Sequence, residues 1–411
     1  MLKKTFVVAL VILLVCTPFF SLSAQHVSAS TNQIFWGAYV GTESRMPLST
    51  LQTFEDQVGK KVSIWNWLQW WIDGTDQYHD PNFNFAWMDD CRNHGAIPMV
   101  SWAPSTILIA GRYGGYDDIT SGKFDAYLDK WGRDSNKWGH PYFVRLEWEF
   151  NGDWSKGQGQ TPWSGGGTPQ KFVAQWQYIV NRVRAAGGTQ ISWIWCPAQL
   201  MESVAKLRTV YPGSQYVDWV GTDVYSTLDY AQTYLGEIRT IAPDKPVMLP
   251  EWGYGNYNGN TGAYWTQVLS DLQTKYQYIK GFCLWEYPGE ELTVVDSATL
   301  PSFKQGIASG YYSSNVYSSL SISPVVAIGE NLNSSYTQPL SSPTSTSTYG
   351  LTLLSRIVLY GTIIVGVIAA VVVLAVSLAL RKRCMKNTKI EVEKPKEESK
   401  FESTQYTPDP L

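Results

Sequence analysis

The sequence predicts an α/β protein built on a (β/α)8 TIM barrel, followed by a disordered stalk and one transmembrane helix. Three observations carry this. Eight short apolar runs alternate with amphipathic stretches, no glycine-rich dinucleotide fingerprint follows the first run, and a long uncharged apolar segment stands near the C-terminus.

The strand-like runs are IFWGAYV (34–40), VSIWNW (62–67), AIPMVSW (96–102), YFVRLEW (142–148), TQISWIW (189–195), VDWVGTDVY (217–225), KPVMLPEW (245–252) and IKGFCLWEY (279–287). Between them the apolar residues recur at helical spacing, as in Phe124, Tyr127, Leu128 and Trp131, and again in Phe172, Val173, Trp176, Ile179, Val180 and Val183. A βα count of this kind closes into a barrel whose functional groups sit where strands give way to loops, at the C-terminal face. The strand ends carry polar or aromatic groups there: Trp102, Glu147 to Asn151, Asp223 and Tyr225, Glu251, and Trp285 with Glu286. A buried strand interior would not hold so many polar groups without partners.

The two ends of the chain read differently. Residues 1–30 have the charged start, apolar run and small polar residues of a secretory signal peptide. The barrel is expected over 31–311, a Ser/Thr/Pro-rich stalk over 312–350 and a transmembrane region over 351–380. Within that region Ile357 to Leu380 is uncharged, and at about 1.5 Å per residue it is long enough to cross a hydrocarbon core of about 30 Å. Arg381, Lys382 and Arg383 follow at once, which keeps residues 381–411 cytoplasmic as a disordered tail and places the barrel outside the cell. The lipid bilayer is thus one expected partner.

Composition narrows the other partners. Charged residues make up 16% of the chain and the formal net charge is −3, so no basic face is offered to nucleic acid. The 19 Trp and 25 Tyr suit stacking on sugar faces, although most must pack the core. Cys91, Cys196 and Cys283 form an odd set in the outer domain with no CxxC spacing. No metal site and no cofactor are expected, and the cysteines read either as one disulfide or as small buried residues.

Breaking a glycosidic bond requires a proton for the leaving oxygen and an anion for the oxocarbenium-like centre, hence two carboxyl groups. Glu149 and Glu251 stand at the ends of the fourth and seventh runs, positions that can face one another across a barrel mouth. On the residues alone each has a structural alternative, Glu149 as a partner of Arg145 and Glu251 as a partner of Lys245.

The run Arg145-Leu-Glu-Trp-Glu149-Phe-Asn151-Gly152-Asp-Trp154 resembles the acid/base motif of glycoside hydrolase family 26, a family of retaining (β/α)8 glycosidases. GKFDAYLDKW (122–131), TPQKFVAQWQYIV (168–180), SWIWCP (192–197), YPGSQYVDWVGTDVY (211–225) and KPVMLPEWG (245–253) follow in family order, so the resemblance spans about residues 34–310. It implies Glu149 as general acid/base and Glu251 as nucleophile, with Tyr225 orienting Glu251 and Arg145 holding it by a charge-assisted bond. Trp285 is implied as the floor of the subsite for the attacked sugar. Asn151, Trp154, Trp148, Asp223 and Trp102 are implied in supporting or substrate contact. Glu149 is expected to keep its proton by burial against Trp148 or Trp154.

The implied activity is that of an extracellular, membrane-anchored endo-β-glycanase acting on a β-linked polysaccharide of the β-1,4-mannan type. Mannan-cleaving members commonly place His before the acid/base Glu, whereas this chain has Trp148, which keeps a mixed-linkage β-1,3-1,4-glucan or a xylan open as substrate. Trp36, Trp67, Trp70 and Trp71 either line a long cleft or pack beneath it. An alternative of another class is a catalytically inactive surface protein that binds polysaccharide; a purely structural surface component leaves the motifs unexplained.

Overall fold

The structure is a computed structural model that describes residues 33–330 apart from 42–44, 72–81, 105–114, 153–160, 200–202, 256–260, 288–291 and 321–323. Its strands are β1 (Phe35–Val40), β2 (Ile64–Trp70), β3 (Ile97–Ala103), β4 (Tyr142–Leu146), β5 (Ile191–Trp195), β6 (Trp219–Gly221), β7 (Val247–Trp252) and β8 (Ile279–Glu286). Neighbours pair in parallel and β8 closes on β1, which gives a barrel in sequential strand order. The principal covering helices are α1 (Leu48–Val58), α2 (Phe85–His94), α3 (Tyr116–Thr120), α4 (Asp125–Trp138), α5 (Pro169–Ala185), α6 (Val204–Arg208), α7 (Leu228–Ile241), α8 (Thr261–Thr274) and α9 (Leu300–Ile307).

The strands read as continuous apolar runs because both of their faces are covered, one by the barrel interior and one by helices. β1, β3 and β7 are buried along their whole length. Side chains still alternate in direction, and the polar ones take the inner face. Ser101 lies in register with Arg145, and its hydroxyl donates to Asn66 Oδ1 at 3.0 Å. Their neighbours in sequence turn outward: Trp65, Trp67 and Trp102 are buried in the hydrophobic core. Trp36 and Trp71 are buried there too, so of the tryptophans read as cleft candidates only Trp70 is partly exposed.

Two strands, β4 and β6, stop well before the ends of their sequence runs. β4 stops at Leu146 because Glu147 adopts a φ of 43°, outside the extended region. β6 keeps only Trp219–Gly221, and beyond it Asp223 and Val224 make single bridges to Ala198 and Trp252. Cys91, Cys196 and Cys283 are all buried and free, so the disulfide alternative is not realised among them.

The packed domain runs past the expected boundary at 311. Tyr312, Tyr317, Val325 and Ala327 are buried in the core, so the described part of 312–330 is a strap on the barrel and not a stalk. Its contacts fall at the N-terminal ends of strands. Ser313 N donates to Ile34 O, Tyr317 N to Gly95 O, and Tyr317 Oη to Pro141 O. Val325 accepts from Trp219 Nε1 at 2.7 Å, while its N–H donates to Ser192 Oγ. The cause is the open lower end of any such barrel, whose apolar first layer needs a cover.

Among the described residues no helix is long and apolar enough to cross a membrane. The expected signal peptide, the apolar run 357–380 and the tail lie outside the described residues, as does the chain beyond Glu330.

Ending the chain at Tyr311 should lower Tm by about 10 °C or more, since each lost apolar side chain is worth about 1.5–3 kcal/mol and each kcal/mol moves Tm by about 2–4 °C in a domain of this size. A chain ending at Glu330 should melt with the parent. Differential scanning calorimetry of the two truncations checks this.

Candidate active site

The mouth of the barrel is organised by a turn at the end of β4. Glu147 and Glu149 have positive φ values of 43° and 54°, a conformation that costs a residue with a side chain about 1–2 kcal/mol. Backbone bonds to the flanking strands' ends hold it: Glu147 N donates to Trp102 O and Glu149 N to Cys196 O, both at 2.8 Å. The turn sends consecutive carboxyls in different directions, Glu147 toward Gln175 on α5 and Glu149 toward Asp223 and Glu251. Asn151 does not touch the mouth. Both ends of its amide are engaged by the backbone of Ala198, at 2.7 and 3.2 Å, which clamps the loops after β4 and β5 together.

Arg145 stands at the centre, fully buried. Nη1 donates to Glu251 Oε1 at 2.5 Å and to Ser101 Oγ at 3.3 Å, and Nη2 donates to Asp223 Oδ2. Burial works against its charge, but Asp223, Glu251 and Glu149 outweigh it and hold the guanidinium well above its ordinary value. Asp223 is governed by the opposite balance: burial pushes its carboxyl well up despite Arg145, and the neighbouring Glu251 and Glu149 push the same way. Lys245 pairs with Asp244, so the alternative role of Glu251 as its partner is not what the structure shows.

Glu251 accepts a second hydrogen bond on Oε2, from the Tyr225 hydroxyl at 2.5 Å. With donors on both oxygens the carboxyl is fixed in orientation and suited to carry charge. Tyr225 is 36% exposed along its ring, while burial of the hydroxyl and the adjacent Glu251 keep the phenol well above its usual range, so it remains a donor. Oxygens of Glu149, Asp223 and Glu251 all lie within 4.8 Å of one another. This is the cluster of acids close enough to share a cation among the described residues, and the cationic partner it already has is Arg145.

Aromatic rings frame these carboxyls. Trp285, partly exposed near the end of β8, stacks on Tyr39 of β1 with centroids 4.2 Å apart and an 11° interplanar angle. Trp148, partly exposed beside Glu149, meets Trp70 edge to face at 6.1 Å and lies under the Arg145 guanidinium at 5.9 Å. Trp102 must be removed from the set of substrate contacts. It points outward from β3 with 0% exposure, packs on Trp71 and Trp131, and donates Nε1 to Tyr127 Oη at 3.0 Å. The reason is strand parity, since Ser101 already takes the inward position. Glu286 is likewise turned from the mouth. It accepts from Thr293 Oγ1 and Val294 N, and burial raises it to about 7. Trp154 lies outside the described residues. Tyr39, Asn66, Ser101 and Gln175 are site-supporting residues that the sequence reading passed over. A polar residue at an inward parity position inside an apolar run was the available signal for Asn66 and Ser101.

Residues 117–286, which contain the whole carboxyl cluster, match the model of glycosyl hydrolase family 26. Over those residues the chain is similar to that family. Among curated relatives, endoglucanase H of Acetivibrio thermocellus is 24% identical over 311 residues, 71% of this chain and 31% of the relative. The β-1,3-xylanase TXYA of a Vibrio species is 25% identical over 161 residues, 38% of this chain and 33% of the relative. This chain thus spans about a third of the length of those relatives. The family 26 β-mannanase BoMan26A of Bacteroides ovatus superposes with a TM-score of 0.52 at 14% identity, covering 77% of this chain and 96% of the other, a likeness of fold.

In this barrel, removing the central cation should be costly, because it strands two buried carboxyls. Arg145→Met is expected to lower the unfolding free energy by about 3–5 kcal/mol in urea titrations, and adding Asp223→Asn should recover part of the loss.

Proposed function

We propose that the protein is a retaining endo-β-glycanase that hydrolyses a β-linked polysaccharide, with β-glucan as the first candidate substrate. The observation that carries this is the approach of Glu149 and Glu251 to within 4.8 Å while Glu251 takes donors on both of its oxygens, from Arg145 and from Tyr225. Retaining glycosidases hold their carboxyls about 5–5.5 Å apart, whereas inverting ones leave about 6.5–9.5 Å for a water.

The steps follow from that asymmetry. Glu251, oriented by its two donors, attacks the anomeric carbon as the bond to the leaving oxygen breaks, and Glu149 delivers its proton to that oxygen. A glycosyl ester of Glu251 results. Arg145 and Tyr225 then lose an anionic partner, while Glu149, now ionised, takes a proton from the water that attacks the ester. Glu251 leaves as carboxylate with the anomeric configuration restored. The Tyr39–Trp285 stack presents the flat face against which a pyranose ring can lie, and Trp148 with Trp70 forms a second aromatic wall.

Endoglucanase H and the xylanase TXYA are named for glucan and xylan, and the superposed B. ovatus protein for mannan. Trp148, apolar and next to the acid, supports glucan first. We further propose that the chain is secreted and anchored through residues 357–380. That run is uncharged and long enough to span a hydrocarbon core of about 30 Å, and Arg381, Lys382 and Arg383 follow it.

The full chain, incubated with mixed-linkage β-glucan, β-mannan and β-1,3-xylan, should release new reducing ends, most from β-glucan. Early products followed by proton NMR should carry the β-anomer. Glu149→Gln and Glu251→Gln should each reduce release by about a thousandfold or more. Unchanged release by either variant sinks the assignment; polysaccharide binding without release by the wild type points instead to an inactive binding protein.

A further inference from the structure

Glu147 stands two residues before the proposed acid/base yet turns away from the mouth, into the layer between the barrel and α5. Its carboxyl is buried, and Gln175 Nε2 donates to its Oε2. Gln175 is fully buried as well, and its Oε1 has no hydrogen-bond partner among the described residues. A buried amide oxygen without a donor costs about 1–3 kcal/mol. An ionised carboxylate is acceptor-only and leaves that oxygen bare. A protonated carboxyl facing a primary amide can instead exchange two hydrogen bonds, amide N–H to one carboxyl oxygen and carboxyl O–H to the amide oxygen.

We propose that Glu147 is a positioning residue that keeps its proton and pairs with Gln175 as an acid–amide couple, pinning the left-handed turn that carries Trp148 and Glu149. The turn needs such an anchor. Glu147 and Glu149 both hold positive φ without being glycine, and such strain persists only where the surroundings over-determine it. Backbone bonds to Trp102 and Cys196 fix the two N–H groups of the turn. The Glu147 side chain ties it to a helix, across the wall from the reacting carboxyls.

The electrostatics agree with this geometry. Burial pushes the Glu147 carboxyl up to about 8, against the opposing pull of the Gln175 bond. The titratable group that feels it across the helix layer is Tyr116 on α3, itself held above its ordinary value by burial and by Glu147. Arg145 is spent on Asp223 and Glu251, and no other cation among the described residues favours the Glu147 anion. A carboxyl whose folded value lies above its unfolded value of about 4.3 contributes fully below that unfolded value, and the contribution is lost as pH rises toward about 8. Glutamine at this position cannot ionise and still exchanges two hydrogen bonds with Gln175.

The kinetic consequence rests on the glycanase reading above; the pairing itself does not, and the test keeps them apart. Thermal melts of the full chain between pH 5 and pH 8 should show Glu147→Gln gaining several degrees on the wild type as pH rises. The wild type should show an infrared band of a protonated carboxyl that disappears toward alkaline pH and is missing from Glu147→Gln. Glu147→Ala should lose about ten- to a hundredfold in kcat with KM little changed, and Glu147→Gln should recover most of it. Parallel melting curves with an unchanged carboxyl band would falsify the couple. If the wild type cleaves none of the glycans while the band and the melting trend behave as stated, the glycanase reading falls and the couple stands.

Discussion

The buried guanidinium of Arg145 is the constraint on which the site depends. One cation, with no access to water, faces Asp223 and Glu251 directly and lies near Glu149. Three carboxyls within 4.8 Å of one another could not be assembled in a barrel mouth without it, because like charges at that range repel strongly in a poorly hydrated interior. The rest of the inner polar face serves Arg145. Ser101 takes a donor from its Nη1, Asn66 holds Ser101, and Pro250 O beside Glu251 accepts from Asn66 at 3.3 Å.

The same arrangement sorts the carboxyls by role. Glu251 is held by two donors and fixed in direction, which suits the nucleophilic role proposed for it. Asp223 is raised by burial and occupies the second prong of the guanidinium. Glu149 sits half-exposed on a left-handed turn, with a carboxyl oxygen within 4.8 Å of Asp223 and Glu251. Glu147 and Glu286, equally buried, face helices or loops and steady the frame. Five acidic side chains thus stand at strand ends, and their surroundings rather than their residue type divide them between chemistry and support.

Much of this was legible in the residues themselves. Eight apolar runs marked the strands, and each appears in the barrel, because a strand covered on both faces must be apolar throughout. Glu149 and Glu251 were found by their place at strand ends, which the topology of the fold turns into neighbours. The errors came from information that a run of letters does not hold. Trp102 is a strand-end tryptophan in the chain, but its parity sends it outward among Trp71, Tyr127 and Trp131. The Ser-rich stretch after 311 looked like stalk, and only its contacts with Ser192, Trp219 and Pro141 show that it closes the barrel floor.

The sequence by itself determined the repeating βα pattern, the pair of glutamates and the likeness to family 26, because periodicity and motif spacing are local properties of the chain. The tertiary structure alone decided that Arg145 and Tyr225 donate to the two oxygens of Glu251. It also decided that Glu147 meets Gln175 across the helix layer, and that the described residues of 312–330 belong to the fold. Each of these depends on contacts between groups far apart in the chain, where burial and hydrogen bonding set the chemistry of a side chain.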